Sequence, residues 1–182
     1  DDVSLYPGQN TTGLCPVVQF SGEPVYLDGQ VPSEDEVAAR VERYWRPYHD
    51  ALQGELARLQ ALHGRVLLWE GHSIRGECPF LFEGRLPDLN LGTAGGASCS
   101  PAVQQRIEAA LAAQQAYDWV SNGRFKGGYI TRHYGDPARG IDAVQLETSQ
   151  RTYMDEATFA WSDARAAQLQ PLLAALLRAA LG

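Results

Sequence analysis

Apolar residues recur along this chain with two different periods, which predict helices and strands. Helical spacing runs over residues 34–62, behind a capping box that begins at Ser33, and it predicts one long amphipathic helix. Pro47 falls inside this helix, where its missing N–H and bulky ring should kink or split it. A second helical pattern, rich in Ala and Leu, follows Ser162 and predicts a final helix over residues 163–181.

Shorter apolar runs predict strands. Residues 65–70 hold four consecutive apolar residues between two glycines, which is typical of a buried strand. Residues 125–130 and 141–146 are predicted to form two more strands, and the second alternates apolar and polar positions up to Glu147. The residues between these two strands, 131–140, are expected to form a loop.

The remaining segments complete an α/β pattern. Residues 1–32 are rich in Gly and Pro and predict loops with one or two short strands, and residues 76–100 predict a long irregular segment. Ser100 and Pro101 should start a helix that continues to about Val120. This order of elements predicts one α/β domain over residues 1–182, with helices covering a mainly buried sheet.

Charge and composition narrow the classes of partner. The 182 residues carry a formal net charge of −7, whereas a nucleic-acid partner calls for a clustered basic face. Membrane insertion is not expected, because no run approaches the ~20 apolar residues that span a bilayer. Three widely spaced cysteines without a CxxC pair predict reduced thiols in a cytoplasmic protein.

His72 is the first candidate for chemistry. It follows the strand predicted over residues 65–70, and ligands collect beyond the carboxyl ends of strands in open α/β sheets. Neutral imidazole is a common zinc ligand, and Glu70, two residues earlier in an extended chain, could hydrogen-bond its other nitrogen. The residues alone leave a partly buried structural histidine as the alternative.

Glu147 is the second candidate. A half-buried carboxylate at a strand end can be tuned to act as a general base. The alternative is a carboxylate that pairs with Arg151 or with solvent, because ion pairs also perturb carboxylates. The sequence holds no HExxH, GxSxG, P-loop or dinucleotide-binding motif that would favour another chemistry.

Four sequence blocks in consistent order resemble the N-formylglutamate amidohydrolase family. They are GHSI at 71–74, FLFEGRLPDLNLGT at 80–93, GGYITRHYG at 127–135 and QLETSQRTY at 145–153. The resemblance implies hydrolysis of N-formylglutamate to formate and glutamate in histidine catabolism. More distantly, the chain is similar to zinc carboxypeptidases and aspartoacylases, which implies an α/β/α fold with a mixed sheet between helices.

The resemblance also implies roles for individual residues. His72 matches a zinc ligand, Glu70 the carboxylate behind it and Glu147 the general base. A small dicarboxylate substrate would be bound by side chains within or near the matching blocks, which are Arg75, Asn90, Thr93, Arg132, His133, Tyr134 and Arg139.

One part of the family pattern has no match in this chain. A Pro-His-x-Gly element with the first zinc ligand, a further acidic ligand and an Asn-Arg pair are expected upstream. The chain starts at Asp1 without Met, and we expect it to be the C-terminal two thirds of a larger hydrolase domain. The alternatives are another amidase or peptidase of the same zinc superfamily, or a non-catalytic truncated domain.

Overall fold

The computed structural model describes residues 13–182, which fall into two compact units. The described part of the first unit comprises residues 13–55 and 77–84, and the second comprises Leu56–Gly76 and Arg85–Gly182. The helices are α1 (Glu34–Arg40), α2 (Arg46–His63), α3 (Pro101–Ala112), α4 (Tyr129–Tyr134) and α5 (Asp163–Leu181). The strands are β1 (Val66–Ile74), β2 (Leu89–Gly92), β3 (Trp119–Ser121) and β4 (Ile141–Ser149).

The first unit contains loops and the predicted long helix up to Glu55. Residues 13–32 form loops with a single isolated bridge between Val18 and Pro24, and the loops expected over residues 1–12 lie outside the described residues. Ser33 caps α1 as predicted, since its hydroxyl accepts the N–H of Glu36 at 3.3 Å. A π-helical segment, Val41–Trp45, joins α1 to α2 just before Pro47. Because proline has no N–H to donate to the preceding turn, Pro47 is accommodated by this local change from α-helical to π-helical geometry.

The second unit contains a four-stranded mixed sheet with the order β1-β4-β2-β3, which confirms the predicted sheet type. Strand β4 pairs with β1 in parallel and with β2 in antiparallel orientation, while β2 and β3 are parallel. Strand β1 therefore forms one edge of the sheet within the described residues.

One face of this sheet is apolar and packs on two helices. Leu89 and Leu91 of β2 and Val144 and Leu146 of β4 belong to one buried cluster with side chains of α3 and α5. Burial of each such side chain stabilises the fold by about 1.5–3 kcal/mol. The helices confirm the expected α/β layering and leave the opposite face of the sheet for polar residues.

Several element boundaries differ from the sequence predictions. Strand β1 continues to Ile74, and the predicted irregular segment 76–100 contains strand β2. The helix that starts at Pro101 ends at Ala112, and β3 occupies the positions predicted as its last turn. Residues 125–130 do not form the predicted strand, and Tyr129–Tyr134 is a helix. Pairing partners distant in sequence supply the backbone hydrogen bonds that local periodicity does not reveal.

None of the helices in the described part of the chain is both long and apolar enough to cross a membrane. Cys15, Cys78 and Cys99 all carry free thiols, as the sequence predicted.

Candidate functional site

The strand register gathers polar side chains on the face of the sheet opposite the apolar cluster. In the parallel pairing of β1 with β4, Glu70 lies beside Gln145 and His72 lies beside Glu147. In the antiparallel pairing of β2 with β4, Asn90 lies beside Glu147. Register partners in a sheet share a face, so these five side chains form one group, which we call the polar face.

His72 is the most accessible member of the polar face. Its side chain is 48% exposed, and its Nε2 lies 3.3 Å from Oε1 of Glu70, the contact predicted from the two-residue spacing. When Glu70 accepts a hydrogen from Nε2, the neutral ring keeps a free lone pair on Nδ1. The hydrogen bond to Glu70 and the charge of Glu147 raise the pKa of His72 against the opposing effect of burial.

Glu147 is buried, although its register partner His72 is exposed. It is only 6% exposed, and this burial raises the pKa of its carboxyl to about 7, with His72 and Gln145 pulling in the opposite direction. The alternative ion pair with Arg151 is not formed, because that guanidinium lies 2.6 Å from Asp88 and donates to Ser149 and Leu86. A carboxyl that is half ionised near neutral pH can take up and release a proton during a reaction.

Asn90 contributes a polar atom without a partner. Its Nδ2 donates to the backbone oxygens of Pro87 at 2.8 Å and Glu147 at 3.2 Å, which fixes the amide beside the carboxyl group. Its Oδ1 is buried and has no hydrogen-bond partner among the described residues. Such an orphan acceptor costs about 1–3 kcal/mol, and a ligand that donates an N–H would remove this cost.

Two residues of this site were not predicted as functional from the sequence. Gln145 donates from Nε2 to Oε2 of Glu147 at 3.4 Å, and the Thr131 hydroxyl donates to Oε2 of Glu70. The period-two alternation of β4 already placed Gln145 on the same side as Glu147. Thr131 could not be found in this way, because its segment was predicted to be a strand followed by a loop rather than helix α4.

The remaining predicted binding residues divide into two groups. Arg75 directly follows β1 and is exposed, and residues 132–134 belong to α4, where the ring of His133 stacks on Tyr129 at 4.8 Å. Arg75 lies 5.9 Å from the centre of the Phe159 ring, and helix α4 contacts the polar face through Thr131. The structure does not bring Thr93 and Arg139 to it.

Thr93 serves local structure. Its hydroxyl donates to Gln104 and accepts from Asn122 and from the N–H of Gly96, so its one hydrogen and both lone pairs are occupied. Arg139 precedes the first residue of β4 and is exposed. Since Glu147 stands six positions further along that strand than Ile141, Arg139 lies on the order of 20 Å away.

The donor set for a metal ion is incomplete in this part of the chain. Within residues 13–182 no group of three or more His, Cys, Asp or Glu side chains could hold a metal ion. His72 fits a ligand role, because its ring is accessible, oriented by a carboxylate and free at Nδ1.

A family model described as N-formylglutamate amidohydrolase matches residues 1–154. The N-formylglutamate deformylase of Pseudomonas putida is 50% identical over 182 residues, which cover 100% of this chain and 68% of that protein. Its counterpart from Pseudomonas aeruginosa is 52% identical over 182 residues, covering 97% of this chain and 68% of that protein.

A solved structure is similar as well. The N-formylglutamate amidohydrolase from Ralstonia eutropha JMP134 superposes with a TM-score of 0.73 at 27% sequence identity. The match covers 87% of this chain and 57% of that one. The chain thus spans little more than half of the solved structure and about two thirds of the curated relatives.

Proposed function

Since this chain belongs to the N-formylglutamate amidohydrolase family, we propose that it takes part in the hydrolysis of N-formyl-L-glutamate to formate and L-glutamate. The reaction would be a step of histidine catabolism in the cytoplasm, a reducing compartment that suits three free thiols. The observation that carries the proposal is Glu147, a buried carboxyl whose pKa is raised to about 7 beside an accessible imidazole.

Glu147 would act as the general base and then as the general acid. It takes a proton from a water molecule as the water oxygen attacks the formyl carbon, and it returns that proton to the nitrogen when the C–N bond breaks. A pKa near 7 suits both transfers at neutral pH. The unpartnered Oδ1 of Asn90 would accept the N–H of the substrate amide and orient it next to the base.

Cationic groups after the end of β1 and on helix α4 would bind the two carboxylates of the substrate. Arg75 and Arg132 offer guanidinium forks, which suit planar carboxylates, and His133 and Tyr134 add further donors. Arg139 is less suited, because it lies towards the opposite end of β4.

We further propose that His72 is one ligand of a zinc ion, bound through Nδ1, with Glu70 behind it. The remaining ligands would have to come from outside residues 13–182, because no group of three or more donors that could hold a metal ion lies within that range. When bound, zinc lowers the pKa of a coordinated water molecule towards ~7 and polarises a carbonyl oxygen.

Formate release from N-formyl-L-glutamate tests the proposed reaction. Glu147→Gln should lower kcat by at least about 100-fold, because general acid–base catalysis contributes that much or more. The exposed Glu83→Gln is the matched control and should keep wild-type turnover. If Glu147→Gln also keeps wild-type turnover, Glu147 is not the base. Parallel assays with N-acetylglutamate and dipeptides test for another amidase of this superfamily.

A non-catalytic role is the second candidate, and the incomplete metal donor set within residues 13–182 favours it. Metal analysis of the purified chain separates the two proposals. About one zinc per chain together with formate release would contradict the non-catalytic role. The absence of both bound zinc and turnover would support it.

A further inference from the structure

Thr131 connects helix α4 to the edge strand of the sheet. It is fully buried, with 0% exposure, and its hydroxyl donates to Oε2 of Glu70. The other oxygen of Glu70 faces Nε2 of His72 at 3.3 Å. Thr131, Glu70 and His72 therefore form a chain of polar contacts that leads from a buried hydroxyl to an accessible imidazole.

The backbone before Thr131 is fixed on the sheet. The N–H of Gly128 donates to Oε1 of Gln145 at 2.8 Å, which ties the start of α4 to β4. Gly127 has a φ of 110°, and a Cβ at this position would lie 2.8 Å from Cγ2 of Thr131. The methyl group of Thr131 thus packs against a glycine, while its hydroxyl points to Glu70. The two substituents of this side chain have separate roles.

We propose that Thr131 is a positioning residue for His72 and acts through Glu70. With Oε2 held by the hydroxyl, the carboxylate presents Oε1 to the imidazole, so the neutral ring carries its hydrogen on Nε2 and exposes Nδ1. Without the hydroxyl, the carboxylate rotates more freely and both tautomers of His72 become populated. The part of this inference that concerns zinc rests on the proposed function, and the part that concerns the tautomer does not.

Two substitutions separate the hydroxyl from the methyl group. Thr131→Val keeps the shape of the side chain and removes only the hydroxyl, whereas Thr131→Ser keeps the hydroxyl and removes the methyl group packed against Gly127. The readout is the imidazole ¹⁵N spectrum of the metal-free 182-residue chain at about pH 9, where histidine is neutral. The chain has four histidines, and His72→Asn assigns the signals of His72 by their loss.

We expect wild type and Thr131→Ser to show one dominant tautomer with hydrogen on Nε2, and Thr131→Val to show a mixture. If Thr131 contributed only to packing, Thr131→Ser would lower the unfolding temperature. The tautomer patterns of His72 in Thr131→Ser and Thr131→Val would then be the same. An unchanged His72 pattern in Thr131→Val would overturn the proposal.

Zinc affinity provides a second readout, measured by competition with a chelator. Thr131→Val should bind Zn²⁺ about 10- to 100-fold more weakly than wild type, as for other losses of outer-shell partners. Thr131→Ser should stay within about threefold of wild type, on the same scale. Equal affinities of wild type and Thr131→Val would contradict the positioning role. If wild type binds no zinc, the proposed zinc role of His72 in this chain fails, and the tautomer measurement still decides the role of Thr131.

Discussion

Glu147 lies directly beside His72 in the parallel pairing of β4 with β1, and the two groups influence each other's charge. The imidazole acts to lower the pKa of Glu147, and the carboxylate acts to raise the pKa of His72. Burial is nevertheless the largest effect on Glu147 and raises its pKa from 4.5 to about 7. The pair therefore combines an enclosed carboxyl with an exposed ring.

This raised pKa makes the stability of the metal-free chain depend on pH. Between about pH 4.5 and 7 the folded state holds a proton on Glu147 that the unfolded state has lost, so stability falls as pH rises through this window. Glu147→Gln removes the cost of charging a buried carboxyl. At pH 8 the variant should be more stable than wild type by about 3 kcal/mol, and at pH 4 the two should be nearly equal.

Urea unfolding at pH 4, 6 and 8 measures this difference. The exposed Glu83→Gln controls for the loss of a charge and should track wild type at each pH. A stability difference between Glu147→Gln and wild type that does not change with pH would show that burial does not control this carboxyl.

Local periodicity predicted the elements whose pattern is complete within one segment. The Leu-rich face of α5 and the alternation of β4 are of this kind, and both elements begin where expected, with β4 continuing past residue 146 to Ser149. Strand β1 was predicted to stop at residue 70, because Gly71 bounds the apolar run, and His72 and Ser73 were placed beyond it. They stay in the strand since β4 pairs with them, and Glu70 and His72 are polar because they lie on the polar face.

The candidate site was predictable to a similar extent. The strand-end positions and the family resemblance led to His72 and Glu147, which the register brings together. Thr131 was not found, because its contact with Glu70 joins segments far apart in sequence, whereas the alternation of β4 placed Gln145 beside Glu147 without indicating a role for it. Strand β3 was missed for the same reason: its three residues pair with β2, about 30 positions earlier.

Gly92 should be required for the close approach of the Lys126–Gly128 backbone to the sheet. A Cβ on Gly92 would lie 2.6 Å from the backbone nitrogen of Gly127, so Gly92→Ala must push this segment away. We expect a loss of about 1–3 kcal/mol in urea unfolding. The amide of Gly128 should also exchange faster with solvent, since its bond to Gln145 is strained or lost.

Gly71→Ala is the matched control for this prediction. Gly71 also lies in a strand, but a Cβ there would meet no atom within 4 Å. This variant should change stability by no more than about 0.5 kcal/mol. Equal effects of the two substitutions would mean that the close contact at Gly92 is not important for stability.

Gln145 should affect turnover more than substrate binding under the proposed reaction. Its Oε1 accepts from Gly128, which directs Nε2 towards Glu147 and restrains the carboxyl group. Gln145→Met keeps the length of the side chain but removes both contacts. We expect kcat for formate release to fall about 10- to 100-fold, with KM within about threefold, as for lost partners that orient a catalytic group. A rise in KM at unchanged kcat would instead place Gln145 among the substrate-binding residues.

The positions of Arg75 and Arg139 relative to β4 predict different effects on the same assay. Arg75 directly follows Ile74 at the end of the sheet where Glu147 lies, and its guanidinium is 5.9 Å from the centre of the Phe159 ring. Arg139 lies on the order of 20 Å from Glu147, beyond the other end of the strand.

Arg75→Ala should therefore raise KM for N-formyl-L-glutamate about tenfold or more, as expected for a lost charge-assisted contact. Arg139→Ala should leave kcat/KM within about twofold of wild type, as is usual for an exposed residue remote from a site. If Arg139→Ala raises KM and Arg75→Ala does not, the substrate carboxylates bind at the opposite end of the sheet, and Glu147 cannot be the base that acts on that substrate.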